Sequence, residues 1–85
     1  MPRISQFYGV LISMYHNEHG PPHFHATYAG KEASLTPEGA VLMGSLPPRI
    51  LRLVREWAAL HRSELIENWA RARKGQALEG IAPLE

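Results

Sequence analysis

The chain has 85 residues, of which 45% are hydrophobic and 20% are charged, and this size suits one small domain with a thin core. Its formal net charge of +1 is too close to zero to predict binding to nucleic acid or membranes from bulk charge. The absence of cysteine excludes disulfides, thiolate nucleophiles and thiolate metal ligands, so any metal site must use nitrogen and oxygen ligands.

The first predicted strand runs from Ile4 to Tyr15 and is apolar on both of its faces. A strand buried on both sides is usually central in its sheet, and Gly9 within this one is typical of a bulge. A turn follows from Asn17 to Pro22, where paired prolines stiffen the exit. This first region therefore predicts a long strand that leads into a rigid corner.

The second predicted strand covers residues 23–29 and alternates between two faces. His23, His25 and Thr27 share one face, and the intervening residues share the other. Two further short strands follow, each preceded by a glycine-containing turn: residues 31–36 and 40–45. Four short strands joined by short turns predict an antiparallel meander.

Beyond the fourth strand the hydrophobic period changes from two to about 3.6, which predicts helical structure over residues 48–74. One apolar stripe ends at Trp57, and a second contains Leu65 and Trp69. On one ideal helix the second stripe would be rotated by roughly a quarter turn from the first. A single straight helix could not direct both stripes toward the same face of the sheet, so the pattern predicts an interruption of the helix.

We expect a kink or short break between His61 and Glu64, with Ser63 as the N-cap of the second segment. Residues 76–85 are predicted to form an irregular tail of a chain that otherwise makes one small domain. The predicted fold is α+β: a four-stranded antiparallel meander with a kinked or broken C-terminal helix packed on one face. Core packing is the first expectation for Trp57 and Trp69. If the two stripes do not merge into one core, Trp69 with Leu65 is expected to form an exposed patch for a partner, and the apolar positions of the tail fit the same idea.

Four of the five histidines fall within ten residues around a Gly-Pro-Pro corner: His16, His19, His23 and His25. Histidine titrates near neutral pH and is the commonest metal ligand in proteins. Packing alone does not require such a concentration. Any chemistry or recognition is therefore expected at this segment.

Metal binding is the first interpretation of the cluster. His23 and His25 are two positions apart on one strand, so their side chains project from the same face, roughly 7 Å apart. Both imidazoles can reach one ion, and His16, His19 or Glu18 can supply a third ligand. A divalent metal such as zinc accepts three protein ligands at a catalytic site and four at a structural one.

Metal-free acid–base catalysis is the second interpretation, with His23 and His25 acting together with Glu18 or His19 in a ribonuclease-like hydrolysis. A third interpretation involves no reaction: the histidines bond turn carbonyls and line a solvated sheet face, which can also meet a partner protein. The sequence leaves these alternatives open.

Arginines on the polar side of the predicted first helix offer a route to nucleic acid, because such a row can lie along a phosphate backbone. The four are Arg49, Arg52, Arg55 and Arg62. Glu56 interrupts this side, and the chain carries almost no excess positive charge. A solvated helix face is therefore the favoured interpretation.

Three segments together carry a recognisable pattern: MPRIS, MYHNEHGPPHFHATY and LPPRILRLVREWAALHRSELIENWARARKG. In these segments, and so over nearly its whole length, the chain resembles the prokaryotic family called domain of unknown function 4160. His16 falls at a position that looks variable in the pattern, which weakens it as a third metal ligand. His19, His23, His25 and Glu18 match the central motif.

The resemblance supplies no catalytic residues, but it suggests a biological setting. Genes of this family resemble parts of two-gene modules and often lie beside a gene for another short protein, domain of unknown function 2442. The resemblance implies an interaction component of a toxin–antitoxin-like pair, with that second small protein as partner. A homo-oligomer is a further possibility.

The sequence thus predicts a small cytoplasmic protein that works through protein–protein interaction, with a histidine-dependent hydrolase as the alternative. No apolar run approaches the ~20 residues that span a bilayer, so no membrane association is expected. The N-terminal segment lacks the layout of a signal peptide. Whether the protein is an enzyme stays open.

Overall fold

The computed structural model describes residues 2–85 as one antiparallel sheet of five strands followed by two helices. The strands lie side by side in chain order: β1 (Arg3–Phe7), β2 (Val10–Ser13), β3 (Phe24–Tyr28), β4 (Lys31–Leu35) and β5 (Val41–Gly44). The helices are α1 (Pro48–Leu60) and α2 (Arg62–Arg73). The α+β class and the antiparallel meander are confirmed, whereas the predicted four strands are corrected to five. Of the two predicted alternatives, a kinked or a broken helix, the structure has the broken one, as two helices.

The additional strand comes from a hairpin inside the predicted first strand. Tyr8 and Gly9 have φ angles of 48° and 80°, as a two-residue type I′ hairpin turn requires. Phe7 pairs with Val10 across this turn, and both side chains are buried. The prediction of one strand over Ile4–Tyr15 was wrong because an unbroken apolar run can also supply two adjacent strands. Gly9 is the second residue of that turn.

The strand register gives the sheet two different faces. Ile12, Ala26 and Ala33 pair across β2, β3 and β4, and all three are buried. We call their side of the sheet the core face. The next row, on the opposite side, consists of Ser13, His25, Ser34 and Met43. We call this side the histidine face; the alternation predicted for residues 23–29 places His25 on it.

Trp57 of α1 lies at the centre of the core, and its side chain is fully buried. Its ring centroid is 5.5 Å from that of Phe7 and 5.7 Å from that of Phe24. Its indole nitrogen donates a hydrogen bond of 2.9 Å to the carbonyl of Ala82 in the tail. Trp57 therefore joins the sheet, the first helix and the tail, as a large buried aromatic with a satisfied polar group can.

The break between the helices falls at His61, the first residue of the predicted interval. The predicted N-cap, Ser63, is instead the second residue of α2, and this prediction was wrong. His61 occupies the cap position, with its Nδ1 2.6 Å from a carboxylate oxygen of Glu64. The first stripe thus ends with α1, and α2 can turn its own stripe toward the core.

The tail, residues 76–85, contains no helix or strand but packs back on the domain. The amide of Ile81 donates a 2.7 Å hydrogen bond to the carbonyl of Ile4, at the outer edge of β1. Asn68 of α2 is fully buried, and its side chain bonds both the amide and the carbonyl of Glu79. These bonds hold the tail in place.

Trp69 packs in the core, as first expected, and the alternative of an exposed patch at Trp69, Leu65 and the tail is wrong, because these apolar side chains belong to the buried core. Trp69, Ile81 and Leu84 are only 7%, 5% and 8% exposed. Exposed apolar side chains lie elsewhere, and β5 carries three in succession.

Within residues 2–85, no helix has both the length and the apolarity needed to cross a membrane.

Candidate functional site

The loop between β2 and β3 carries the histidine-rich segment and folds over the end of the sheet. Asn17 and Gly20 have left-handed backbone conformations, with φ angles of 62° and 94°. Such residues reverse the chain direction within a short span. The loop thereby brings the Glu18 side chain to His25, which lies seven residues further along the chain.

One carboxylate joins two imidazoles at this point. The Oε1 atom of Glu18 is 2.7 Å from the Nε2 atom of His25, and its Oε2 atom is 3.2 Å from the Nε2 atom of His23. The possible ligand atoms of these three residues all lie within 4.8 Å of one another. We call Glu18, His23 and His25 the Glu-His-His cluster.

Each imidazole is also held through its other ring nitrogen. The Nδ1 atom of His23 is 2.9 Å from the carbonyl oxygen of Pro21 in the same loop. The Nδ1 atom of His25 is 3.2 Å from a carboxylate oxygen of Glu32 on β4. Both rings are therefore oriented at two points, which leaves little freedom for either to rotate.

Aromatic side chains border the cluster on two sides. The Tyr15 ring meets His25 edge to face at a centroid distance of 4.6 Å, and the Trp69 ring lies 5.0 Å from that of His23. The side chains of His23 and His25 are 10% and 15% exposed, whereas that of Glu18 is 27% exposed. The cluster is consequently shielded from bulk water but open on the Glu18 side.

The local electrostatics favour an ionised Glu18. Burial acts to raise the pKa of Glu18, but the side-chain and charge interactions with His25 and His23 together hold that pKa below its ordinary value. The pKa of Tyr15 is raised, first by burial and then by the negative charges of Glu32 and Glu18. The site thus combines a carboxylate with a protonated phenol.

The structure brings three of the five candidate residues of this segment together and leaves two outside. His19 is exposed and is not a member of the Glu-His-His cluster. The Nε2 atom of His16 instead lies 2.9 Å from the carbonyl oxygen of Gln76, where it ties the loop to the tail. Catalytic or metal-binding roles for Glu18, His19, His23 and His25 stay predictions.

Sequence reasoning missed Glu32, although the chain contained a usable indication. The tight turn at Ala29–Gly30 pairs Thr27 with Glu32, which makes Glu32 the diagonal neighbour of His25 on the same face. Ser13, directly opposite His25 on β2, was missed as well. Its hydroxyl is buried and has no hydrogen-bond partner among the described residues, and nothing in its local sequence indicated this.

The fold and the site together define the class of protein: a small α+β domain with a Glu-His-His cluster at one end of its sheet. The chain belongs to the family described as domain of unknown function (DUF4160), whose family model matches residues 9–70. The matched range contains the whole cluster, together with Glu32 and Trp69. Comparisons with curated proteins and with solved structures gave no match.

Proposed function

We propose that this protein is a small cytoplasmic interaction domain that binds a second protein by adding one of its strands to β5. The observation that carries the proposal is the exposure of β5, all four of whose residues are exposed. Val41, Leu42 and Met43 are 38%, 43% and 75% exposed. Contiguous exposed apolar side chains on a small protein are typical of an interaction surface.

The two edges of the sheet differ in a way that supports this use of β5. The outer edge of β1 is engaged by the tail, through the hydrogen bond from Ile81 to Ile4. Proteins usually protect a free edge with charged residues, proline or a covering segment. From Ala40 to Ser45 the chain has no charged residue and no proline. The β5 edge therefore retains backbone donors and acceptors beside an apolar surface.

Strand addition would also use a shallow pocket beside β5. The pocket has a volume of about 240 Å³ and is lined by His25, Glu32, Ala33, Ser34, Met43 and Gly44. In strand addition, backbone hydrogen bonds supply affinity, and pockets for alternate side chains supply specificity. A side chain of the added strand that points to the histidine face can enter this pocket.

The partner that we propose is the second small protein of a toxin–antitoxin-like two-gene module, in keeping with the gene arrangement that the family resemblance implies. Co-expression with the product of the adjacent gene, followed by size-exclusion chromatography, tests the proposal. We expect one peak that contains both proteins. Two separate monomer peaks would contradict the proposal, and a dimer of this chain alone would indicate self-association instead.

A matched pair of variants locates the contact. Met43→Lys places a charge on the exposed β5 surface and is expected to abolish the shared peak. Leu60→Lys makes the same change at the end of α1, where the side chain is 67% exposed, and should leave the complex intact. Equal loss of binding in both variants would show that β5 is not the contact.

A histidine-dependent hydrolase, ribonuclease-like, is the second candidate function. It is favoured by the contacts of Glu18 with the Nε2 atoms of His23 and His25, because a carboxylate can orient imidazoles for proton transfer. Incubation of purified protein with total RNA tests this candidate. His25→Ala should remove cleavage, whereas His19→Ala, outside the cluster, should retain it. Absence of cleavage by the wild type would exclude ribonuclease activity under the conditions tested.

A further inference from the structure

The hydrogen bond of His23 to the backbone fixes the position of its proton. In the neutral ring, the nitrogen that faces Glu18 therefore carries no proton. The carbonyl of Pro21 can only accept, so the Nδ1 atom of His23 carries a hydrogen and donates it. In the neutral ring the Nε2 atom then presents a lone pair. That lone pair faces a carboxylate oxygen of Glu18 at 3.2 Å. Two acceptors in contact repel each other unless a proton or a cation lies between them.

His25 likewise has more acceptors around it than a neutral ring has hydrogens to donate. Both of its nitrogens contact carboxylate oxygens, Nε2 that of Glu18 and Nδ1 that of Glu32. A neutral imidazole can donate only one hydrogen. To donate to all four acceptors, His23 and His25 would both need two protons. Two positive charges would then lie on rings only 5.3 Å apart and largely shielded from water.

One divalent cation can take the place of the missing protons at both histidines. It would replace the two Nε2 protons with an equal charge, bind both lone pairs and contact the carboxylate of Glu18. Each ring would then be neutral and would keep a single hydrogen on Nδ1, donated to Pro21 or to Glu32. Metal-bound histidines almost always donate their second nitrogen to a backbone carbonyl, a carboxylate or water.

We infer that Glu18, His23 and His25 bind one divalent first-row transition-metal ion, through the Glu18 carboxylate and the Nε2 atoms of both histidines. Glu32 and the Pro21 carbonyl act as positioning groups that orient the two rings. This ligand set contains Glu18 where the sequence alone had offered His16, His19 or Glu18 as third ligand. Metal binding here requires neither partner binding at β5 nor hydrolytic activity.

The donor set and the distances define the class of ion. Two imidazole nitrogens and one carboxylate, without thiolates, suit zinc and its first-row neighbours better than calcium or magnesium. Around a tetrahedral zinc, such ligand atoms lie roughly 3.4 Å apart, given metal–ligand bonds of about 2.0–2.2 Å. The ligand atoms of the three residues lie within 4.8 Å of one another, and the two contacts of Glu18 measure 2.7 Å and 3.2 Å, so modest side-chain movements would bring them to these separations. Three protein ligands leave at least one position for water or substrate.

Isothermal titration calorimetry with zinc chloride tests the inference on the full chain, after removal of any histidine tag and treatment with a chelator. We expect one equivalent of zinc to bind to the wild type. Glu18→Gln preserves the shape of the side chain but removes its charge, and should weaken binding at least tenfold. His23→Ala/His25→Ala should abolish it. His19→Ala is the matched control in the same loop and should bind as the wild type does.

Glu32→Gln separates a positioning role from a ligand role. We expect it to retain one equivalent of zinc but to bind about 10–100-fold more weakly, the usual effect of losing a carboxylate that orients a metal-bound histidine. Circular dichroism establishes that each variant is folded. Should the double variant fail to fold, the zinc affinity of Glu18→Gln alone tests the inference. The inference is overturned if the wild type binds no stoichiometric zinc, if Glu18→Gln binds as tightly as wild type, or if His19→Ala loses binding equally.

Discussion

The two faces of the sheet are built from alternate residues of the same strands, yet they have different physical roles. On β3, Phe24 and Ala26 are fully buried on the core face, where Phe24 packs against Trp57. Their neighbour His25 points to the opposite face and contacts two carboxylates. The core face supplies apolar burial and therefore stability. The histidine face concentrates charge and ring nitrogens, which contribute little to stability but can bind ligands.

The largest expected effect is that of removing Trp57 from the core face. Trp57→Ala deletes a fully buried indole and its hydrogen bond to Ala82, and should lower the free energy of unfolding by about 3–5 kcal/mol. Urea denaturation followed by circular dichroism measures this change. Leu60→Ala, at an exposed position of the same helix, should change it by less than about 0.5 kcal/mol. A loss below about 1 kcal/mol for Trp57→Ala would contradict the proposed centre of the core.

The next effect concerns Gly44, where β5 approaches β4. A Cβ atom at this position would lie 2.1 Å from the carbonyl oxygen of Glu32, and the φ angle of 77° already favours glycine. We expect Gly44→Ala to cost about 2–3 kcal/mol, because β5 must shift away from β4.

Gly20→Ala is the control for Gly44, because it has a φ angle of 94° but no neighbouring atom within 4 Å of its Cβ position. It should cost only about 1 kcal/mol, from backbone strain alone. Hydrogen exchange should show faster exchange of β5 amides in Gly44→Ala and unchanged exchange there in Gly20→Ala. Equal costs in the two variants would mean that the close approach of β5 to β4 is unimportant.

A smaller effect is expected at the tail, which covers part of the core. Asn68→Ala removes two hydrogen bonds to the backbone of Glu79 and should cost about 1–3 kcal/mol. Limited proteolysis should cleave the tail of this variant faster than that of the wild type. Glu67→Ala, at an exposed neighbouring position, should leave the cleavage rate unchanged. An unaltered tail in Asn68→Ala would mean that other contacts suffice to hold it.

Local sequence rules predicted much of the sheet and part of the candidate site. Strict alternation over residues 23–29 places His25 and Thr27 on one face, because strand geometry fixes that period. The same rules failed at Tyr8–Gly9, where an apolar run concealed a hairpin turn. Glycine in a strand is compatible with either a bulge or a turn, and the local sequence does not distinguish them.

Contacts between distant segments could not be predicted by such rules. Trp69 packs beside His23 because α2 starts in a new direction after His61, and that packing depends on the whole domain. The exposed patch that the sequence offered as an alternative to core packing therefore falls on residues that the fold buries. Glu18 was foreseen as a possible third ligand, but its position between two imidazoles follows from the shape of the loop.

The division between the two faces is tested most directly by thermal unfolding. The wild type and His23→Ala/His25→Ala are each melted with chelator and with one equivalent of zinc. In chelator, the double variant should melt within about 5 °C of the wild type, because the core face is unchanged. With zinc, only the wild type should gain stability, since an ion that binds the folded state selectively raises its melting temperature. A double variant that melts far below the wild type in chelator would contradict the account, because the histidines would then be structural. Equal effects of zinc on both proteins would also contradict it.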